Sequence, residues 1–339
     1  MKTTKFYIGL DVHESMTAYA VRSFKGQILK SGECATRYED LHKQLDPYLC
    51  SCRIGLGSCT SYYHIYWGFK KKGYDILVAN TLRIRQLVAK DDRLDAERLS
   101  DMLRLGSFPT SYVPNEILMR LRSLVNLRQN FVEESTSFKN QIKSTLAKHG
   151  LQIHERTSFS KRWCEQLQKY IAEHPELPEL YHTYEHYQML EHKITTLTAE
   201  TLTFCKKHWS KEMVLLDSIP GIAEVLSGYF VAEICPISRF KNEKKLRRYA
   251  GVIPCFKESG GKCYGSNLPK TSSRSLLRWA LVQASWAAVK GKNNLAQYYN
   301  KKKKTKPKTK AIMCVASSLS DIIFKVLSTG KPYVKESCS

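Results

Sequence analysis

The chain opens with Phe6-Tyr7-Ile8-Gly9-Leu10-Asp11-Val12, an apolar run that a single aspartate interrupts. A short run rich in aromatic and branched residues predicts a buried strand. Asp11 stands where the apolar run would otherwise continue, and a carboxylate in such a place must be paired, hydrogen-bonded or coordinated to a metal. The first strand is therefore predicted to carry a functional acid.

Short apolar runs continue to residue 35 and predict two more strands, joined by tight connections such as Phe24-Lys25-Gly26. Helices and strands are then predicted to alternate. Three antiparallel strands followed by this alternation predict an α/β domain of ribonuclease-H-like order over residues 1–114. The later elements are a helix at 38–49, a strand at 53–56, a helix at 61–72, a strand at 75–79 and a helix from about 82.

The spacing of apolar residues changes to a helical one from residue 115 to about 148, with Leu118, Leu121 and Val125 in the stripe. A second helical stretch follows Pro175. Two long helices joined by a loop predict an antiparallel coiled-coil arm or a dimerisation element over residues 115–212. An ordinary helical subdomain fits this pattern equally well.

A third region, residues 213–339, begins with Ile219-Pro220-Gly221-Ile222 between two apolar helical segments. This pattern predicts a helix-hairpin-helix, whose turn at Gly221 offers backbone N–H groups to a phosphate. A plain helix break is the alternative. A basic stretch close behind favours nucleic-acid binding. Its candidate contacts are Lys244, Lys245, Arg247 and Arg248.

The overall charge points to the same kind of partner. Lys and Arg number 54 against 31 Asp and Glu, which gives a net charge of +23. Such a surplus is typical of a protein that binds the phosphate backbone of DNA, although a merely soluble basic protein is the alternative. The surplus is clustered at residues 301–310, and a clustered run can track a polyanion.

The eleven cysteines are an odd number without paired metal-ligand spacing. They indicate a reducing compartment and buried free thiols rather than zinc. We expect no stretch to reach the roughly 20 apolar residues of a membrane span. Residues 1–5 lead straight into a strand rather than a signal peptide. We therefore expect a cytoplasmic protein with no membrane partner.

A second acidic segment complements Asp11. Asp92 and Asp95 are three residues apart on a predicted helix, so both carboxylates should face the same way. Hard oxygen ligands of this kind suit Mg²⁺, and two such ions can clamp an in-line displacement at phosphorus. Single helical aspartates are mostly solvated or capping, so the combination of all three carries the prediction of a metal site.

A candidate nucleophile lies in Ser259-Gly260-Gly261-Lys262. Glycines let a backbone come close to phosphate, and the serine hydroxyl could attack phosphorus. Neighbouring cations would stabilise the developing charge. An ordinary turn is the alternative. The cations proposed for this role are Lys262, Lys270 and Arg274.

With these motifs in place, the chain resembles the DEDD insertion-sequence transposases of the IS110 type, relatives of the Piv-type DNA invertases. The resemblance covers almost the whole chain, and its C-terminal block is long and specific. The blocks that carry it are residues 8–12, 90–96, 219–222, 239–240, 249–254, 259–262 and 265–278.

The resemblance implies a RuvC-like N-terminal domain, a coiled-coil arm and a C-terminal transposase domain with a catalytic serine. It implies a prokaryotic, Mg²⁺-dependent recombinase that excises and inserts its element, guided by a structured bridge RNA, and recombination of two duplexes implies a dimer or tetramer. Asp11, Asp92 and Asp95 match three of the family's four acidic ligands, and Ser259 matches its nucleophile.

One position departs from the family pattern in a way that affects function. Gly57 stands where the family has a glutamate, and no acid lies between Arg53 and Tyr74. A lesser departure is Ser272, where the family has glycine. The metal site is then either rescued by an acid from elsewhere or defective.

Three functional interpretations follow from the motifs and this departure. The first is an RNA-guided DNA transposase. The second is a catalytically impaired nucleic-acid-binding relative. The third is a Holliday-junction nuclease, which is disfavoured because it leaves Ser259 without a role.

Overall fold

The structure is a computed structural model that describes residues 4–57, 61–81, 83–84, 95–253, 255–259, 262–267 and 274–334. The two short strands between 255 and 267 are described by their backbone alone. The chain divides into two compact units, Met1–Val113 and Pro114–Ser339. Each unit is treated separately below.

Unit 1 is built on a five-stranded sheet with the order β3-β2-β1-β4-β5. The first three strands are antiparallel, and β4 and β5 run parallel to β1. This mixed sheet confirms the α/β class and agrees with a ribonuclease-H-like order. The strands are β1 (Phe6–Val12), β2 (Met16–Ser23), β3 (Ile28–Ala35), β4 (Cys52–Leu56) and β5 (Asp75–Val78).

The described helices of unit 1 follow the predicted positions with one shortening. The helix predicted over 38–49 ends at Leu45, and a 3-10 helix, Asp46–Ser51, continues the chain. Pro47 explains this change because proline has no backbone N–H to donate into an α-helix. The α-helices are α1 (Tyr38–Leu45), α2 (Tyr62–Lys71) and α3 (Ala96–Arg104).

The two faces of the sheet are packed by different means. Ile8 and Leu10 of β1 are fully buried in a core that includes Leu41 of α1 and Phe69 of α2. The opposite face carries Gly9, and α3 lies directly on it. One face of the sheet is therefore covered by large buried apolar side chains, and the other face is in close contact with the backbone of α3.

Two neighbouring glycines make this backbone contact possible. Gly9 and Gly55 are register partners on the parallel strands β1 and β4. A Cβ atom at Gly9 would lie 1.9 Å from the carbonyl oxygen of Ala96, and one at Gly55 would lie 2.7 Å from Cε2 of Phe108. Neither distance is possible for real atoms, so any side chain here would push α3 and the segment behind it away from the sheet.

Unit 2 begins with two long antiparallel helices, α4 (Glu116–Lys148) and α6 (Pro178–His208). Arg128 Nε donates to Thr198 Oγ1 at 2.7 Å, and Ser135 Oγ donates to Glu191 Oε1 at 2.6 Å. The paired residues run in opposite directions along the two helices, so the two helices are antiparallel. A further helix between them, α5 (Lys161–Glu173), was not predicted.

The rest of unit 2 is helical apart from one hairpin. Its core joins the start of α4 to the C-terminal helices, since Leu121 and Val125 belong to the same buried cluster as Phe230 and Leu281. The arm and the C-terminal region are therefore one unit. The elements are α7 (Ser210–Asp217), α8 (Glu224–Ile234), α9 (Glu243–Ala250), β6 (Cys255–Ser259), β7 (Lys262–Asn267), α10 (Ser275–Ala288), α11 (Asn294–Lys303) and α12 (Lys308–Thr329).

Helix α12 corrects the expectation that no segment is apolar enough to span a membrane. By length and composition it would be, although half of its most apolar window is buried inside unit 2. Val315, Leu319 and Ile323 are fully buried in the core described above. Its hydrophobicity is therefore used in packing against neighbouring helices, as in the core helix of a globular domain.

The described cysteines are free thiols. Cys205 and Cys235 are buried in unit 2, and desolvation raises the pKa of each to about 12. A thiol with such a pKa stays protonated near neutral pH and is a poor nucleophile or metal ligand. These two cysteines are therefore core residues.

The glycine contact under α3 predicts a large difference between two otherwise similar substitutions. Gly9→Ala should destabilise the protein by about 1–3 kcal/mol, because the new methyl group overlaps the α3 backbone. Gly57→Ala should change stability by less than about 1 kcal/mol, because its methyl group would meet only Asp11 Oδ1 at 3.7 Å. Urea unfolding of both variants measures the difference, and equal midpoints would contradict the packing account.

Candidate functional site

The site that the sequence predicted in unit 1 lies at the carboxyl ends of β1 and β4. Asp11 is the second-last residue of β1, and its side chain is 26% exposed. Gly57 directly follows β4, and its backbone N–H donates to the carbonyl oxygen of Leu10 at 3.1 Å. A Cβ at position 57 would have Asp11 Oδ1 as its nearest neighbour. A side chain there would therefore stand beside Asp11, with no closer neighbour among the described residues.

Asp95 occupies a different position from the one predicted. It is the N-cap of α3, with φ −110° and ψ 171°, and its Oδ1 accepts a hydrogen bond from the Arg98 N–H at 2.7 Å. The expected pair of helical carboxylates on one face is therefore wrong for Asp95, which precedes the helix. Aspartate is among the preferred N-cap residues, because its carboxylate satisfies a free N–H of the first turn. Asp92 lies outside the described residues.

The packing of α3 nevertheless brings Asp95 to the side of the sheet that carries Asp11. Gly9 and Asp11 face the same side of β1 because alternate residues of a strand share a face. The carbonyl of Ala96, the first residue of α3, lies against Gly9. Asp95, one residue earlier, is thereby held at that face, and its Oδ2 is not used by the cap.

Arg22 was missed by the sequence analysis and fixes the position of α3. From β2, its Nε donates to Ser100 Oγ at 3.2 Å and its Nη2 donates to the Glu97 carbonyl at 3.3 Å. Its Nη1 donates to the carbonyl of Gly26 at 2.6 Å. The only sequence signal was a cation inside a strand. The guanidinium ties the first turns of α3 to the sheet, and so restrains Asp95.

His13 was also missed, although its spacing offered a signal. Its Nε2 lies 3.1 Å from Asp11 Oδ2, and its side chain is 70% exposed. Two residues separated by one position in an extended chain point to the same side. His13 therefore contacts one oxygen of Asp11, while Oδ1 faces position 57.

The side chains that could coordinate a metal ion at this site are few. Within the described ranges, no group of three or more His, Cys, Asp or Glu side chains could hold a metal ion. Position 57 contributes no carboxylate, and Asp92 is not among those residues. Asp11 and Asp95 have the hard oxygen donors that Mg²⁺ prefers, and the open space at Gly57 would admit one more. Asp11 and Asp95 thus have the right donor chemistry for Mg²⁺ but form an incomplete ligand set among the described residues.

Ser259 ends a strand rather than lying in a loop. It is the last residue of β6, and its backbone pairs with that of Lys262 at the start of β7. Two residues connect the strands, and Gly-Gly is a favoured sequence for so short a hairpin connection. The backbone therefore presents Ser259 and Lys262 at the tip of a hairpin. Lys270 lies outside the described residues.

Arg274 is engaged within the protein. Its Nε and Nη2 donate to the two carboxylate oxygens of Glu233 at 2.8 Å each, and Glu233 is 1% exposed. These hydrogen bonds raise the pKa of Arg274 above its ordinary value. Because two of its nitrogens neutralise a buried acid, Arg274 is less available to a phosphate than the sequence suggested.

The four basic residues of α9 divide into two kinds. Lys244, Lys245 and Arg248 are exposed. Arg247 forms an ion pair with Asp321 of α12, with 3.0 Å between Nε and Oδ1. Three of the four predicted phosphate contacts are thus on the surface, while Arg247 joins two helices of the core.

The Pro-Gly turn between α7 and α8 is closely packed. Gly221 has φ +87°, and a Cβ there would lie 2.3 Å from the Ala284 carbonyl oxygen of α10. Both the left-handed backbone and the packing require glycine at this position. An open cavity of about 370 Å³ lies between residues 217–222 and 287–293. The turn therefore has a structural role, and its phosphate contact stays a prediction.

Two family models match separate regions of this chain. A model described as "Transposase", of the DEDD IS110 type, matches residues 8–150. A model described as "Transposase IS116/IS110/IS902 family" matches residues 213–300. The first match contains the β1–β4 corner, and the second contains the serine hairpin.

Two curated proteins are similar to this chain. "Putative transposase y4qE" of Sinorhizobium fredii is 27% identical over 229 residues, which are 66% of this chain and 55% of that protein. "Insertion element IS116 uncharacterized 44.8 kDa protein" of Streptomyces clavuligerus is 27% identical over 114 residues, 33% of this chain and 28% of that protein. The chain spans about half the length of the first and about a quarter of the second.

The α/β sheet with an acid on its first strand and the largely helical remainder are consistent with the DEDD class of transposases. Two models of one family agree with the transposase relatives on this point. The chain belongs to the IS110 family of transposases.

The N-cap position of Asp95 predicts that its structural and metal-binding roles can be separated. Asp95→Asn should change stability by less than about 0.5 kcal/mol, while Asp95→Ala should cost about 1 kcal/mol, because asparagine caps a helix and alanine does not. Both variants should lose Mn²⁺ affinity, because both lose the carboxylate. Urea unfolding and calorimetric Mn²⁺ titration measure these effects. Unchanged Mn²⁺ binding by the Asp95→Asn variant would show that Asp95 caps α3 but does not bind metal.

Proposed function

We propose that this protein is a DNA transposase and recombinase that cuts and rejoins strands at the ends and the target of an insertion element. The observation that carries the proposal is the corner of the ribonuclease-H-like sheet where α3 holds Asp95 on the face of Asp11. This corner lies inside the family match over residues 8–150. Asp11 near the end of β1 has no packing role that would explain it, and the capping role of Asp95 leaves its second carboxylate oxygen unused by the cap.

The acidic corner would bind Mg²⁺ through Asp11 and Asp95, with Asp92 as a further candidate. Bound Mg²⁺ neutralises charge on a phosphodiester and orients it for displacement. Asp11 and Asp95 supply the oxygen ligands, and Arg22 keeps Asp95 in place through Ser100 and Glu97. His13 restrains one oxygen of Asp11.

Ser259 is the proposed nucleophile. A base takes the hydroxyl proton, the oxygen forms a bond to phosphorus, and the ester oxygen of the cut strand leaves. The short hairpin between β6 and β7 supports this role, because its backbone places Ser259 beside Lys262. A cation there would stabilise charge that develops on the phosphoryl oxygens.

The proposed partners are DNA and a structured guide RNA, with the protein acting as a homodimer or homotetramer. The net charge of +23 supports a polyanionic partner, as do the exposed cations on α9. The Pro220-Gly221 turn is a further candidate phosphate contact.

A specific observation supports a second candidate function. With glycine at position 57, this chain lacks a carboxylate that would stand beside Asp11. A protein that binds nucleic acid but cuts it poorly is therefore the alternative. Restoring the acid distinguishes the two functions.

Gly57→Glu should increase recombination. Loss of a partner that only orients a metal ligand already costs about 10- to 100-fold in metal affinity or activity, and a direct ligand should matter at least as much. A two-plasmid recombination assay, with the flanking DNA of the element supplied, measures the gain. Gly57→Gln is the matched control, since it adds the same bulk without the charge. Robust activity that is equal in all three proteins would show that the glutamate is dispensable.

Ser259→Ala should reduce strand exchange by at least about a thousandfold, as expected for removal of a nucleophile. DNA and RNA affinities should stay nearly unchanged, because one hydroxyl contributes little to a highly charged interface. Denaturing gels should reveal a protein–DNA adduct in the parent and none in the variant. Full recombination by the Ser259→Ala variant would show that Ser259 is not the nucleophile and that the hairpin has a structural role.

A further inference from the structure

The positive charge is concentrated in one part of the sequence. Residues 213–339 contain 23 Lys and Arg against 7 Asp and Glu, while the arm, residues 115–212, contains 14 against 12. Residues 259–320 contain 13 Lys and Arg and no acid. Helices α10 and α11 lie within this acid-free stretch. Their surface therefore has no carboxylates of its own to pair with these cations or to repel a phosphate.

An exposed tryptophan lies on this surface. Trp286 of α10 is 37% exposed, and its ring meets that of Tyr299 of α11 edge to face, with 5.8 Å between the ring centroids. Tyr299 itself is only 8% exposed. The tyrosine therefore supports one side of the indole from within the protein, while part of the tryptophan faces solvent.

Exposed lysines flank the tryptophan on both helices. Lys290 lies four residues beyond Trp286, just past the end of α10, and Lys303 lies four residues beyond Tyr299 on α11. Residues four apart on a helix lie on the same side. An aromatic ring with cations on either side is the arrangement by which proteins hold a single nucleic-acid strand.

The open cavity described above is lined by the C-terminal end of α10, the helix that carries Trp286. It is lined by Ala287 and Lys292 on one side and by the Pro220-Gly221 turn on the other. Lys292 is exposed. The cavity is thus on the same end of α10 as Trp286, and its lysine would neutralise a phosphate that entered it.

We propose that Trp286 is a stacking platform for an unpaired base of a single nucleic-acid strand, whose phosphates lie along Lys290, Lys292 and Lys303. The proposal shares with the proposed function only the nucleic-acid partner. It does not depend on the acidic corner or on Ser259. Bases in a duplex are already stacked on each other and offer no free face, so Trp286 should matter for single strands alone.

The test compares the binding of three fluorescent probes to the full-length chain by anisotropy: 15-nucleotide oligo-dT, 15-nucleotide oligo-U and a 15-base-pair duplex. Trp286→Leu should weaken oligonucleotide binding by about 5- to 100-fold, which corresponds to the usual contribution of one stacked base. Duplex affinity should change by less than about twofold, since phosphate contacts dominate it. Trp286→Phe should retain most of the single-strand affinity.

Two controls make the result specific. Tyr181→Leu removes another exposed aromatic, one on the arm, where acidic and basic residues nearly balance, and should leave all three affinities unchanged. Lys292→Gln should instead weaken the binding of all three probes. It should also lower the slope of log affinity against log salt concentration by about the amount that one phosphate contact contributes. Whether oligo-dT or oligo-U shows the larger loss in Trp286→Leu identifies the strand as DNA or RNA.

Leucine retains the apolar packing, and the thermal unfolding midpoint of each variant shows whether it is folded. A folded Trp286→Leu protein with unchanged single-strand affinity would overturn the proposal, as would an equal loss on the duplex. The anisotropy experiment measures binding and does not require recombination. It therefore tests the stacking role of Trp286 even if the protein binds nucleic acid without being catalytically active. A failure of Gly57→Glu or Ser259→Ala to behave as expected would leave this result intact.

Discussion

The close approach of α3 to the sheet is the contact on which the site depends. At Gly9 it is a contact between backbones, and at the neighbouring Gly55 the side chains of Leu103 and Phe108 occupy the space that a side chain would need. The approach places the N-terminus of α3, and with it Asp95, on the face that carries Asp11. Arg22 then holds the helix at that place. The position of the candidate acids is therefore fixed by the sheet rather than by the acids themselves.

Glycines in this protein have two opposite meanings. At Gly9, Gly55 and Gly221 a side chain would collide with backbone or with an aromatic ring, so glycine is required by packing. At Gly57 a side chain would enter open space beside Asp11. Among the described residues, no steric reason explains that glycine. On the family pattern that the sequence resemblance implies, this glycine removes a carboxylate without a gain in packing.

The sequence predicted the features that local pattern controls. Strand alternation gave the first three strands, and helical spacing gave the two arm helices. Features set by contacts between distant residues were missed: the pair between Arg274 and Glu233 joins residues 41 positions apart, and no local signal marks it. Asp95 shows a third kind of error, because a residue just before a helix was treated as part of it. The apolar content of α12 was underestimated from the sequence, and its burial against neighbouring helices is visible only in the structure.

Calorimetric titration of Mn²⁺ tests the central claim most directly, because it measures the acidic corner without DNA, RNA or partner subunits. The titration should be applied to the four proteins of a double-mutant cycle: the parent chain, Gly57→Glu, Asp11→Asn and the double variant. If the two positions share one ion, Gly57→Glu should bind Mn²⁺ more tightly than the parent, and Asp11→Asn should remove that gain. A gain that persists in the double variant, or no gain at all, would contradict the account.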